Sequence, residues 1–363
     1  MFNSKSYGKW KTRLKQLIPD TCASRVTNLV LLIVGIFESK SVHVSVLARK
    51  LPIRAKKLSI AKRLERFMSN EAVDVEAWYH PWASWLIQSA SAGGTLHLVI
   101  DGTKVSAYCR QIMIAVAYQR RTLPLIWDWV EHPRGHCTTE QQIALLKRLH
   151  HLIPADIEVS FVGDNEFGAA KLIALLDEWG WHYALRQKGS TLFQIQGKTA
   201  WQAFNSYPVK RGNLIWFGNV LLTQSHAQST RVVIYWKPGE KEPWYLATNQ
   251  LSGRPTIGLY KRRMWIEEMF GDMKGHGFNL ELSRFRTPDR LSRLTLAVCI
   301  LYVWLVTMGE YVLHNQLNAE VDRTDRRDLS IFRLGWDWLE RQFVFDDPIP
   351  ILFRPNFCLV FGC

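Results

Sequence analysis

Three carboxylates, Asp101, Asp164 and Glu267, are the side chains of this 363-residue sequence best suited to metal-assisted chemistry. Asp101 follows the β-type run at residues 96–100, and Asp164 follows a second run at residues 157–163. In α/β sheets, sites form at the carboxyl ends of strands. Taken singly, an aspartate after a strand is also a common turn or cap residue, so the setting of the third carboxylate decides the interpretation.

Glu267 lies on a predicted helix that starts near Pro255 and runs to Gly275. At 3.6 residues per turn, four polar residues share a stripe about 60° wide on this helix: Tyr260, Arg263, Glu267 and Lys274. The adjoining face is apolar and is predicted to be buried through Leu259, Ile266, Phe270 and Met273. For Arg263 and Glu267, an ion pair at i,i+4 spacing is the simpler explanation, and such a pair can coexist with a function.

The composition of the stripe suits phosphoryl transfer. Three carboxylates bind Mg²⁺, a hard cation that prefers oxygen ligands. Two such ions about 4 Å apart can activate the attacking oxygen and stabilise the leaving one. Arg263 and Lys274 can grip phosphates, the first as a fork and the second as a point charge. Tyr260 can donate a hydrogen bond to a phosphate or stack on a base.

The four polar residues of the stripe resemble the Y-R-E-K signature of the insertion-sequence-four family of DDE transposases. Two residues separate Tyr260 from Arg263, three separate Arg263 from Glu267, and six separate Glu267 from Lys274. IDGT at 100–103 and GDNEFG at 163–168 are similar to the first and second aspartate segments of that family. Arg186 and Lys188 in LRQK resemble the basic residues that follow. The resemblance covers roughly residues 25–345.

This resemblance implies an RNase H-like core in which Asp101, Asp164 and Glu267 hold two Mg²⁺ ions, with Mn²⁺ as a substitute. It implies nicking of double-stranded DNA at inverted-repeat transposon ends, followed by transfer of the freed 3′-OH into target DNA by a dimer. Relatives stack a flipped base on an aromatic side chain, and Trp244 and Trp265 are candidates, with a core role as the alternative. The family often has Arg after the second aspartate, where this sequence has Asn165.

The elements that must position these residues predict an α/β fold. Three β-type runs, a helix that starts at Thr138 or Thr139, a strand, a helix and a strand predict a mixed sheet. We predict a basic helical DNA-binding domain at 1–92, the core at 93–189 and 244–290, a β-rich insertion at 190–243, and C-terminal helices and a tail at 291–363. The tail from 350 resembles no segment that we can assign.

The charge of the chain indicates a polyanionic partner. Its formal net charge is +14, and residues 1–66 hold 15 Lys and Arg against 3 acidic residues. DNA is the predicted partner of this basic segment, although a merely solvated helix face is the alternative. The apolar run Leu294–Gly309 has 16 residues without a charge, short of the ~18–20 that a membrane span needs. With no apolar leader visible, we expect a cytoplasmic, nucleoid-associated protein that does not use a membrane.

Three alternatives stay open from the sequence. An RNase H-like nuclease would cut without joining, and a domesticated or inactive relative would bind DNA without cutting. His132, His136 and Cys137 in EHPRGHC could also contribute to a metal site, although a polar loop is the simpler interpretation.

Overall fold

The computed structural model describes residues 4–18, 22–105, 108–131 and 137–357. Ten strands form one sheet: β1 (Leu96–Lys104), β2 (Cys109–Tyr118), β3 (Arg121–Glu131), β4 (Val159–Gly163), β5 (His182–Arg186), β6 (Leu192–Ile195), β7 (Gln202–Ala203), β8 (Leu214–Leu222), β9 (Gln228–Tyr235) and β10 (Trp244–Thr248). Their spatial order is β3-β2-β1-β4-β5-β10-β9-β8-β6-β7.

The first five strands form the half of the sheet that holds two of the carboxylates. Strands β1, β2 and β3 pair antiparallel as a meander, whereas β4 pairs parallel with β1 and β5 pairs parallel with β4. The parallel pairing brings the carboxyl ends of β1 and β4 to the same edge, with Ile100 opposite Gly163. This mixed pairing confirms the α/β fold with a mixed sheet that the sequence predicts, for which the resemblance implies an RNase H-like core.

Eleven helices are present among the described residues: α1 (Ser4–Leu17), α2 (Ala23–Ser39), α3 (Val44–Lys50), α4 (Lys57–Met68), α5 (Val75–Ser91), α6 (Thr139–His150), α7 (Ala170–Glu178), α8 (Gly253–Tyr260), α9 (Met264–Met273), α10 (Pro288–His314) and α11 (Ile331–Phe345). Thr138 caps α6 through a reciprocal bond with Gln141, which agrees with the start predicted there. The helices at the two ends of the chain flank the sheet, as predicted.

The prediction that β1 ends at Asp101 is wrong, because the strand continues to Lys104. Asp101 pairs with Met113 of β2, and the ladder extends to the pair Lys104–Arg110. Antiparallel pairing with a long neighbouring strand therefore holds Asp101 in extended backbone rather than in a turn.

The predicted single helix at 255–275 is also interrupted. It consists of α8 and α9, joined by a 3-10 turn at Lys261–Arg263. The backbone nevertheless keeps right-handed helical angles at Tyr260, Arg263 and Met264, so the path of the helix continues through the turn. The tightened turn coincides with the point where Arg263 reaches across to Asp101.

The segment 190–243 continues the main sheet. Strand β9 pairs with β10, which in turn pairs with β5 of the core, and β8, β6 and β7 extend the sheet outward. The β-rich character predicted for this segment is present, and the continuous backbone ladder explains why it packs as part of one sheet.

Helix α10 forms the centre of the hydrophobic core. It is long and apolar enough to cross a membrane by length and composition, yet 83% of its most apolar 18-residue window is buried inside the protein. The indole N–H groups of Trp127 and Trp129 on β3 donate to Ser292 and Thr295 of α10, at 3.2 Å and 3.1 Å. The helix therefore covers the sheet.

Both ends of the chain pack into this core. On α2, Phe37 packs against Trp304 of α10 and Trp336 of α11. Beyond α11, Phe353 meets Trp10 and Trp82 at centroid distances of 5.3 and 5.5 Å. The described part of the tail is thus docked by aromatic contacts that the sequence did not reveal.

Candidate active site

Asp101 occupies the buried centre of the site. Its side chain is only 8% exposed. One oxygen, Oδ1, accepts the Gly102 N–H at 2.7 Å, and the other, Oδ2, lies 3.2 Å from Nη1 of Arg263. Burial and the nearby Asp164 carboxylate raise the pKa of Asp101 to about 7, with Glu267 adding to the rise and Arg263 opposing it. Negative charge is therefore concentrated around this carboxyl group.

Asp164 directly follows β4, at the same sheet edge as Asp101. Its Oδ1 accepts the backbone N–H of Glu166 at 2.9 Å, and the residue is half-buried. This bond fixes one carboxylate oxygen against the turn. The second oxygen has capacity for a further ligand.

Glu267 enters from the first turn of α9. Its carboxylate pairs with Nη2 of Arg263, and its side chain is 45% exposed. Because Arg263 also contacts Asp101, one guanidinium links the first and third carboxylates. The structure thus brings the three predicted carboxylates into one electrostatic cluster across 166 residues of sequence.

The donor chemistry of this cluster fits a hard divalent cation, although the side chains are not arranged as a finished metal site. No three His, Cys, Asp or Glu side chains within the described ranges converge as a ligand set. Arg263 instead supplies the positive charge between Asp101 and Glu267. Oxygen ligands with surplus negative charge are what Mg²⁺ prefers.

Tyr260 is buried beside the cluster, with only 3% of its surface exposed. Burial raises the pKa of its phenol to about 12 against the opposing charges of Arg263 and Arg186. Its ring packs edge-on against Trp244 at 5.1 Å. Arg186 also pairs with Glu242 at 2.6 Å, so this predicted DNA contact has a protein partner in the structure.

Trp244 is a packing residue in the structure. Its surface is 7% exposed, and it contacts Tyr235 as well as Tyr260. Trp265, the other candidate for stacking on a base, is half-buried against the core. Contact of either ring with DNA stays a prediction.

The two lysines predicted to contact DNA differ in setting. Lys274 directly follows α9, and its ammonium donates to the hydroxyl of Thr103 on β1. Burial lowers the pKa of Lys274, and Glu281 and Asp101 oppose that change. Lys188, beyond β5, is exposed. Lys274 is therefore held at the site, whereas Lys188 lies at its surface.

A buried ion pair that the sequence did not single out connects the two aspartate segments. Arg110 of β2 pairs with Glu166, two residues after Asp164, and the two side chains are 14% and 7% exposed. The second oxygen of Glu166 accepts the Cys137 N–H at 2.9 Å. A Cβ at Gly102 would lie 2.5 Å from Nη2 of Arg110, so any larger residue here would displace the Arg110 guanidinium.

Asp272 anchors the helix that holds Glu267. Its Oδ2 accepts Nε of Arg121 at 2.8 Å and the hydroxyl of Tyr302 at 3.4 Å. Burial raises the pKa of Asp272 to about 6 despite the opposing Arg121. Because these partners lie on β3 and α10, α9 is fixed to the sheet and the core. The signal for this role in the sequence was an acidic residue, Asp272, among apolar residues that are predicted to be buried.

The predicted cluster in EHPRGHC cannot be assembled from the structure. His132 and His136 lie outside the described residues. Cys137 is buried, and its backbone N–H is used by Glu166. Burial raises the pKa of the Cys137 thiol to about 11, which does not favour a metal-binding thiolate.

Comparisons with known proteins give one family. A cryo-EM structure of a piggyBac transposase synaptic complex with hairpin DNA is similar at 9% identity and a TM-score of 0.46, with 100% of this chain and 84% of that chain covered. No curated protein sequence matches. The family model described as a transposase DDE domain matches residues 92–304, a span that contains Asp101, Asp164 and Glu267. Since that span is more than half of the chain, the protein belongs to the transposase DDE domain family.

Proposed function

We propose that the protein is the transposase of a bacterial-type insertion sequence, of the insertion-sequence-four family. In this proposal it binds double-stranded transposon ends, cuts them by metal-dependent hydrolysis and joins the 3′-OH ends to target DNA. The observation that carries the proposal is the cluster of Asp101, Asp164 and Glu267 inside a matched transposase domain. Burial, followed by the nearby Asp164 carboxylate, raises the pKa of Asp101, and Glu267 adds to the rise.

In the proposed site the three carboxylates would hold two Mg²⁺ ions, or Mn²⁺ in their place. When bound, these ions would activate the attacking oxygen and stabilise the leaving oxygen of the phosphodiester. The residues of the chain supply position and charge. Asp101 is fixed by the Gly102 N–H, and Asp164 by the Glu166 N–H. Positioning of this kind supplies much of the catalysis in phosphoryl transfer.

Arg263 has two proposed positions. In the structure it neutralises Asp101 and Glu267, and with metal and DNA present it would turn to a phosphate, for which its fork is suited. Lys274, held by Thr103, would contact a second phosphate. We expect Arg263→Ala or Lys274→Ala to weaken DNA binding and to reduce its salt slope by about 1. A slope equal to that of the wild type would contradict the phosphate role.

A strand-transfer assay with pre-cut ends tests the proposed reaction. The substrate is a duplex that carries the DNA flanking the gene and ends in a free 3′-OH, and a supercoiled plasmid is the target. We expect the wild type to form joined product only when Mg²⁺ is present, and we expect Asp164→Asn to form none. Cleavage without joining would indicate an RNase H-like nuclease, and binding without cleavage would indicate a domesticated or inactive relative.

Two further parts of the proposal concern assembly and location. Two ends must be cut together, so we propose a dimer on DNA, which mass photometry with and without end duplexes measures. The protein is proposed to act in the cytoplasm at the nucleoid, without a membrane. A fluorescent fusion that stays at the cell envelope would contradict this location.

A further inference from the structure

A basic recess lies outside the carboxylate site, between α4 and the first turn of α10. Helix α4 and the residue that caps its C-terminus present a stripe at spacings of three, four and three residues, comprising Ser59, Lys62, Arg66 and Ser69. The opposite face of the helix is buried through Ile60, Leu64 and Phe67. Arg290 of α10 faces the stripe, and Glu65 and Asn70 complete the wall. We call these residues the α4–α10 recess.

The charge of the recess is strongly unbalanced. It contains three cations, Lys62, Arg66 and Arg290, and one acid, Glu65. None of the three cations forms an ion pair in the part of the chain that the structure describes. The Nε atom of Arg290 is buried and has no hydrogen-bond partner among those residues. Because Lys62 and Arg66 are exposed, an anionic ligand in the recess would contact their charged groups directly and balance them.

The recess is held rigidly. One turn beyond Arg290, the buried Arg293 donates to the carbonyls of Met68 and Val73, at 3.2 and 3.3 Å. These bonds fix α10 against the end of α4. The guanidinium of Arg290 lies 4.5 Å from the centre of the Phe285 ring. The backbone of the recess is therefore fixed and Arg290 is held against Phe285, whereas Lys62 and Arg66 are exposed side chains on that fixed backbone.

A series of contacts leads from the recess toward the strand that holds Asp101. Arg286 lies over the ring of Tyr108 at 4.7 Å. The thiol of Cys109 donates to the carbonyl of Arg286 at 3.2 Å. Cys109 begins β2, which pairs with the strand that holds Asp101. The segment before α10 therefore connects the α4–α10 recess to the catalytic half of the sheet.

We propose that the α4–α10 recess binds phosphates of the DNA backbone adjacent to the segment engaged at Asp101, Asp164 and Glu267. The inference rests on the proposed function and extends it by a second, sequence-independent contact. Cations combined with hydroxyl and amide donors are the groups that hold phosphates in protein–DNA complexes. A rigid contact of this kind sets the register of the duplex relative to the carboxylates.

The test measures the salt dependence of DNA binding by the full chain, without divalent metal, on two unrelated duplexes of equal length. The variant Lys62→Gln/Arg66→Gln/Arg290→Gln removes three proposed contacts. At about 0.9 per phosphate contact, the slope of log K against log salt should fall by about 2.7 on both duplexes. The charge-conserving variant Lys62→Arg/Arg66→Lys/Arg290→Lys should restore most of the slope.

A matched control removes three exposed cations at the opposite end of the sheet, as Lys198→Gln/Lys210→Gln/Arg211→Gln. It should leave the slope unchanged. An equal fall of the salt slope in both triple variants would overturn the proposal for the recess. A fall of the slope on one duplex only would also overturn it, because that result indicates recognition of bases. Preferential binding of the wild-type recess to phosphatidylserine vesicles would also overturn it. Failure of the wild type to bind DNA would instead refute the proposed function.

Discussion

The buried pair between Arg110 and Glu166 gives the sharpest prediction about the scaffold of the site. Glu166→Gln keeps the size of the side chain and an acceptor for the Cys137 N–H, but it removes the charge that balances Arg110. Both side chains are largely buried, at 14% and 7% exposure. Loss of one partner of such a pair costs about 3–5 kcal/mol, because the other charge stays buried without its counter-charge.

Urea unfolding of the wild type, Glu166→Gln, Arg110→Gln and the double variant measures this cost and the coupling between the two residues. The control is Glu242→Gln, whose partner is Arg186 at 2.6 Å but whose own side chain is 71% exposed. That control should cost less than about 1 kcal/mol. The reasoning is refuted if the two single Glu variants lose equal stability, or if Glu166 and Arg110 show no coupling.

Two other predictions concern the lowered pKa of a buried histidine and the space beside two glycines. Burial, with Arg262 nearby, lowers the pKa of His97 from 6.5 to about 4, so its stabilising contribution is present above pH 6.5 and is lost as pH falls toward 4. The difference in unfolding free energy between wild type and His97→Gln should fall by up to about 3 kcal/mol over that window; a constant difference would contradict it. Gly102→Ala should cost about 1–3 kcal/mol by displacing Arg110. Gly258→Ala, in α8 with open space around it, should instead stabilise by about 0.5–1 kcal/mol, and equal effects in thermal unfolding would refute the steric argument.

Local patterns were sufficient to predict most of the elements. The β-type runs before Asp101 and Asp164 and the start of α6 at Thr138 depend on nearby residues, and the structure contains them. The polar stripe on the Glu267 helix also depends on local periodicity. Its position beside the buried face agrees with the contacts of Arg263 and Lys274 across to β1.

The structure corrects or adds to these predictions where distant parts of the chain decide the conformation. Pairing with β2 extends β1 beyond Asp101, and pairing of β9 with β10 places the segment 190–243 in the main sheet. No glycine or proline marks the 3-10 turn at Lys261–Arg263. The link between Asp101 and Arg263 spans 162 residues, and the Arg110–Glu166 pair spans 56. Such contacts cannot be derived from spacing in one sequence.

The most direct test of the central claim is Mg²⁺-dependent nicking of a supercoiled plasmid that carries the DNA flanking the gene. Glu267→Gln is compared with Glu268→Gln, the adjacent residue, which is 56% exposed and lies 3.3 Å from Arg121. We predict that Glu267→Gln lowers nicking by more than about 100-fold while DNA binding persists, and that Glu268→Gln nicks at the wild-type rate. Equal nicking by the two variants would contradict the assignment of Asp101, Asp164 and Glu267 as the catalytic carboxylates.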